Sequence, residues 1–146
     1  MRPTILLVED NEDDILLTEE AFRDGALGND LHVVRDGVEA LEYLNAQGAY
    51  THRDPSDLPQ LMLIDLNMPR MGGLELMRRL QHDERNRYIP VVVLTSSDEE
   101  RDIVDSYQLG ANAYVRKPVA VEEFFQATRV LGMFWLVLNQ QPPTPS

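Results

Sequence analysis

The sequence has no cysteine, one lysine against twelve arginines, and one tryptophan in 146 residues. Without cysteine there is no disulfide, no thiolate nucleophile and no thiolate metal ligand. Long apolar runs are missing too. The longest, Met133 to Leu138, falls far short of the ~20 residues that cross a bilayer. Met1 to Val8 contains a short apolar run and the chain then turns acidic at Glu9, unlike a secretory signal, so a cytoplasmic protein is expected. Positive charge is scarce, with 13 Lys+Arg against 25 Asp+Glu and a net charge of −12. That balance argues against nucleic acid as a direct partner, because phosphates are neutralised by clustered Lys and Arg. It favours cations or basic protein surfaces instead. The length suits one domain, able to bury roughly 68–70% of its unfolded surface without staples.

What the chain does contain is rhythm. Short aliphatic runs start at Ile5, Leu31, Leu61, Val91 and Ala113, separated by 26, 30, 30 and 22 residues. A period near 30 is that of a βαβ unit, and continuous rather than alternating runs suit parallel strands buried on both faces. Helical spacing fills the intervals: Asp14 to Arg23, Gly37 to Leu44, Leu74 to Leu80, and Glu99 to Leu109, which stops at Gly110 as a helix C-cap does. A last helix spans Val121 to about Asn139. Asn45 to Gln60, with Gly48, Pro55 and Pro59, reads as a long loop. Gln140 to Ser146 reads as a disordered Pro-rich tail after a single domain over residues 1–139. Five strand–helix units predict an open, doubly wound α/β sheet, whose ligands bind beyond the carboxyl ends of the strands.

The residues at those ends are Glu9 and Asp10 after the first strand, Asp65 after the third, Thr95 after the fourth, and Lys117 with Pro118 after the fifth. Carboxylates crowded on one edge repel unless a cation intervenes. Oxygen donors without His or Cys suit Mg²⁺. Two carboxylates, a backbone carbonyl and waters would leave a coordination position for a phosphoryl oxygen. Lys117, the one lysine, would add a compact point charge where the planar fork of arginine does not fit. Glu12, Asp13, Asp14, Glu19 and Glu20 read as a solvated helix face, with Asp14 placed to cap or precede the first helix.

Four separated motifs now stand in order: Val8-Glu9-Asp10, Asp65 to Gly73 (DLNMPRMGG), Leu94-Thr95-Ser96, and Gly110 to Pro118 (GANAYVRKP). Together they resemble the receiver domain of two-component response regulators, over roughly residues 3 to 135. The resemblance implies a flavodoxin-like (βα)5 fold with parallel strand order 2-1-3-4-5. It implies Asp65 as phosphoacceptor from a sensor histidine kinase, and Mg²⁺ held directly by Asp10 and Asp65, through water by Glu9, and by the main-chain carbonyl of Asn67. Lys117 would pair with the phosphoryl group, Thr95 would donate its hydroxyl to it, and Tyr114 would change position with Thr95. Such a protein is a phosphoacceptor rather than an enzyme acting on others. Glu9 departs from the commoner Asp of the family, which bears on the water geometry around the ion.

Only about seven residues follow the last helix, so the expected output is a protein–protein surface. Beside a core stripe at Val121, Phe124, Thr128, Leu131, Trp135 and Leu138, that helix carries a second apolar set, Ala127, Val130, Phe134 and Val137. The surplus set predicts a homodimer through the fifth helix and fifth strand, with Val130, Phe134, Trp135 and Val137 as contact candidates. Phe134-Trp135-Leu136 and the long loop before the third strand also resemble single-domain regulators paired with bacterial phytochromes. Four other readings compete. A dehalogenase-type phosphatase needs an aspartate where Asn67 stands. A flavin protein needs a Ser/Thr/Gly-rich loop in place of Glu9 to Asp14. An unphosphorylated pseudo-receiver would serve as a binding module, and a phosphate sink would drain the kinase rather than carry a signal.

Overall fold

A computed structural model describes residues 4–24, 30–95 and 100–116. The chain alternates β1 (Thr4–Val8), α1 (Glu12–Asp24), β2 (Asp30–Val34), α2 (Gly37–Leu44), β3 (Leu61–Ile64), α3 (Gly73–Gln81), β4 (Val91–Thr95), α4 (Glu100–Gln108) and β5 (Ala113–Arg116). The strands form one parallel sheet in the order β2-β1-β3-β4-β5. The expected doubly wound α/β fold is therefore the observed one.

The continuous aliphatic runs are explained by two cores. Leu6 and Val8 of β1, Met62 and Ile64 of β3, and Val91 and Val93 of β4 point to one face, where Ala40, Tyr43 and Leu44 of α2 and Leu76, Met77 and Leu80 of α3 cover them. Ile5, Leu7, Leu61, Leu63, Val92 and Leu94 point to the other, with Ile15 of α1. Successive residues alternate faces, so a run apolar at every position means burial on both.

Local signals set the helix ends. Asn11 accepts the Asp14 amide at 3.1 Å and so caps α1. The expected cap at Asp14 is thus corrected: Glu12, Asp13 and Asp14 form the first helical turn, where acids favour the positive end of the helix dipole. Within α1, Ile15 and Thr18 are buried while Leu16 is exposed, so the inward stripe differs from the aliphatic pattern alone. The helix α4 is followed by Gly110 at φ +100°, the left-handed cap the sequence predicts. The long loop from Asn45 to Gln60 contains a short 3-10 turn, Gly48–Tyr50. Its Tyr50 packs with His32 and Tyr43 beside the edge strand β2. Among the described residues, no helix is long and apolar enough to cross a membrane.

Candidate functional site

Parallel register aligns the strand ends. Val8 pairs with Val34 on one side and Ile64 on the other, so the residues that follow, Glu9 and Asp65, leave the sheet level with one another. The Asp65 amide donates to the Val8 carbonyl at 3.0 Å, and the Glu9 amide donates to Val34 at 2.9 Å. Both acids are therefore fixed by ladder bonds that continue one residue past the strands.

Glu9, Asp10 and Asp65 each bring one carboxylate oxygen within 4.8 Å of the others. Glu9 is 3% and Asp65 8% exposed, whereas Asp10 faces solvent. Two buried carboxylates and an exposed one, with no His or Cys among them, form a donor set suited to a hard divalent cation. Local amides hold the carboxylates in place. The Asn11 amide donates to Glu9 Oε2 at 3.3 Å, and the Asn67 amide donates to Asp65 Oδ1 at 3.4 Å.

The segment from Asp65 to Gly73 returns tightly to α3. The Gly73 amide donates to the Leu66 carbonyl at 3.0 Å. A Cβ on Gly73 would stand 2.6 Å from the Asp65 carbonyl oxygen and 2.9 Å from Leu66 Cα. Only glycine lets α3 begin this close beneath Asp65.

Of the predicted site residues, Glu9, Asp10 and Asp65 come together, and Asn67 lies two residues beyond Asp65, exposed. Thr95 ends β4 opposite Arg116 of β5, at the same sheet edge, and its side chain lies outside the described residues. Tyr114, in β5 opposite Val93, is half-buried against the larger core. Lys117 and Pro118, the last helix with Val130, Phe134, Trp135 and Val137, and the 140–146 tail lie outside the described residues. The sequence reading missed Asp36 and Arg70. Arg70 Nε donates to Asp36 Oδ2 at 2.8 Å across 34 positions of sequence, from the segment that follows Asp65. The one available signal was Asp36 itself, an N-cap residue type directly before a helical pattern.

Residues 5–129 match the family described as the response regulator receiver domain. Response regulator Rcp1 of Synechocystis sp. is 36% identical over 132 residues, which cover 90% of this chain and 88% of Rcp1. The solved Mn²⁺-bound form of response regulator Rcp1 superposes with a TM-score of 0.88 at 34% identity, covering 97% of this chain and 99% of that one. The phosphorylated cyanobacterial phytochrome response regulator RcpA gives a TM-score of 0.89 at 37% identity, covering 98% of this chain and all (100%) of the other. The bacteriophytochrome response regulator RtBRR gives 0.78 at 48% identity, covering 98% and 86%. Matched along most of its length in both sequence and shape, this chain belongs to the response regulator receiver domains and stands close to the phytochrome response regulators among them.

Proposed function

We propose that this receiver accepts a phosphoryl group on Asp65 from a sensor histidine kinase of the phytochrome kind, in the presence of Mg²⁺. One observation carries the reading: three carboxylates gathered within 4.8 Å at the carboxyl edge of a parallel sheet, two of them buried. Such a cluster is costly without a cation. The solved relatives support it, one being a phosphorylated phytochrome response regulator and another a Mn²⁺-bound form.

Asp10 and Asp65 would hold the ion directly, Glu9 through water and Asn67 through its carbonyl. When bound, Mg²⁺ supplies positive charge against the carboxylates and the incoming phosphoryl oxygens. An Asp65 carboxylate oxygen attacks the phosphorus of a phosphoimidazole. The P–O bond forms as the P–N bond breaks, and the leaving electron pair stays on the imidazole nitrogen, which takes up a proton. Lys117 neutralises a phosphoryl oxygen, and the Thr95 hydroxyl donates to another. Tyr114 follows Thr95 and carries the change to a surface of the fifth strand and helix, where Val130, Phe134, Trp135 and Val137 join two copies. The chain then acts in the cytoplasm as one receiver domain with a short tail, and its catalysis is confined to its own modification.

Intact mass after incubation with Mg²⁺ and acetyl phosphate tests this reading. The expected result is one phosphoryl adduct, lost on chelation or hydroxylamine treatment and absent from Asp65→Asn. An adduct that survives in Asp65→Asn refutes the nucleophile. No adduct with two donors, despite Mg²⁺ binding, favours the unphosphorylated binding module.

A further inference from the structure

The Asp65–Gly73 segment is tied to the start of α2 by side chains that have no part in the reading above. Asp36, 6% exposed, divides its carboxylate between two elements. Its Oδ1 accepts the Glu39 amide at 2.8 Å and caps α2, while Oδ2 accepts Arg70 Nε at 2.8 Å. Burial pushes this carboxyl up, but the Glu39 amide, the Arg70 guanidinium and the Val38 amide outweigh it and hold it below its ordinary value. Arg70 has φ +61°, the left-handed region that non-glycine residues rarely adopt and keep only where their surroundings hold them. Next to it, the Met71 amide donates to Pro69 at 2.7 Å, and the Met71 carbonyl accepts the Gly37 amide at 2.9 Å.

These bonds close a ring. The Asp65 amide is bonded to Val8 and the Glu9 amide to Val34. From Val34 the chain runs two residues to Asp36, across the ion pair to Arg70, and back along the loop to Asp65. The ring contains two of the three clustered carboxylates, Glu9 and Asp65. The ion pair is its one closure made by two side chains.

We propose that Arg70 is a positioning residue for phosphoryl transfer: its bond to Asp36 fixes the loop leaving Asp65 and so sets the Asp65 carboxylate against Glu9 and Asp10. The inference rests on the reading of Asp65 as phosphoacceptor. Arg70 is itself largely exposed, so it acts through the loop and not by touching the phosphoryl group.

The test compares Arg70→Ala, Asp36→Ser (which keeps a capping oxygen but loses the second carboxylate oxygen), the double variant and Arg70→Lys. Thermal melts establish folding, calorimetry gives the Mg²⁺ Kd, and intact mass gives the acetyl phosphate reaction rate at saturating Mg²⁺. Each single variant is expected to slow the plateau rate about three- to tenfold, with half-saturating acetyl phosphate unchanged, and to weaken Mg²⁺ severalfold. The double should be no worse than either single, because both cut the same tie, and Arg70→Lys should recover part of the loss. A folded Arg70→Ala within twofold of wild type in both rate and Kd overturns the proposal, as do single effects that multiply in the double. If Asp36→Ser fails to fold, Arg70→Ala against Arg70→Lys decides alone. If wild type takes up no phosphoryl group, the reading of Asp65 fails. The Mg²⁺ Kd then decides the tie: an unchanged value in Arg70→Ala overturns it, and a weakened value that does not deepen in the double supports it.

Discussion

His32 shows how much one side chain can depend on contacts invisible in its own neighbourhood. It sits on β2, stacked on the Tyr43 ring at 4.6 Å, with Nε2 3.1 Å from the Tyr50 hydroxyl, which in turn donates to Glu39 Oε2 at 2.7 Å. Burial lowers its pKa, Glu39 partly opposes that, and Arg53 lowers it further. The folded state therefore binds fewer protons than the unfolded state at mildly acidic pH. Stability should rise with pH from the lowered folded pKa up to about 6.5, the ordinary value, and be flat above it. The slope stays below about 1.4 kcal/mol per pH unit, the ceiling for one proton, and partial solvent exposure reduces it. Urea unfolding at pH 5 and pH 7 checks this: wild type should lose stability on acidification, and His32→Gln should lose less. The sequence hid this cluster because its members come from a strand, a helix and a stretch that reads only as loop. Asp36 and Arg70 stayed hidden for the same reason. The strand-end acids did not, since position in a parallel sheet follows from the runs themselves.

At the scale of elements, the aliphatic runs start within a residue of all five observed strand starts, because burial on both faces leaves a continuous apolar signature. Strand order was another matter. Nothing in five similar runs says that β3 pairs with β1 and not with β2, and the order came through resemblance to a family. Helix starts were also less legible, because caps and first turns use the same Asn and Asp types, as at Asn11 and Asp14. The junction of β3 and α3 carries a sharp prediction. Gly73→Ala drives a methyl to 2.6 Å from the Asp65 carbonyl oxygen. The backbone beneath Asp65 must shift, costing about 1–3 kcal/mol as an overpacked contact. Chemical denaturation should show that loss, and Mg²⁺ affinity should fall with it, because the displaced residue carries one of the clustered carboxylates.

The whole molecule carries a net charge of −12 and gathers three carboxylates on one sheet edge. A cation taken by the folded state alone should therefore stabilise it. At 100 times the Kd, Mg²⁺ should add about 2.7 kcal/mol to unfolding. A raised melting temperature, reversed by chelator and reduced in Asp10→Asn, is the expected result of a thermal scan. Those acids leave the ends of β1 and β3, each hydrogen-bonded to strands on both sides, while β2 forms a sheet edge with mostly half-buried residues. In deuterium exchange, backbone amides of β1 and β3 should be the last to label and those of β2 among the first. Asp65, whose amide is bonded to Val8 of β1, should thus be held by strands that open late, and the edge strand β2 should breathe many times without carrying Asp65 away.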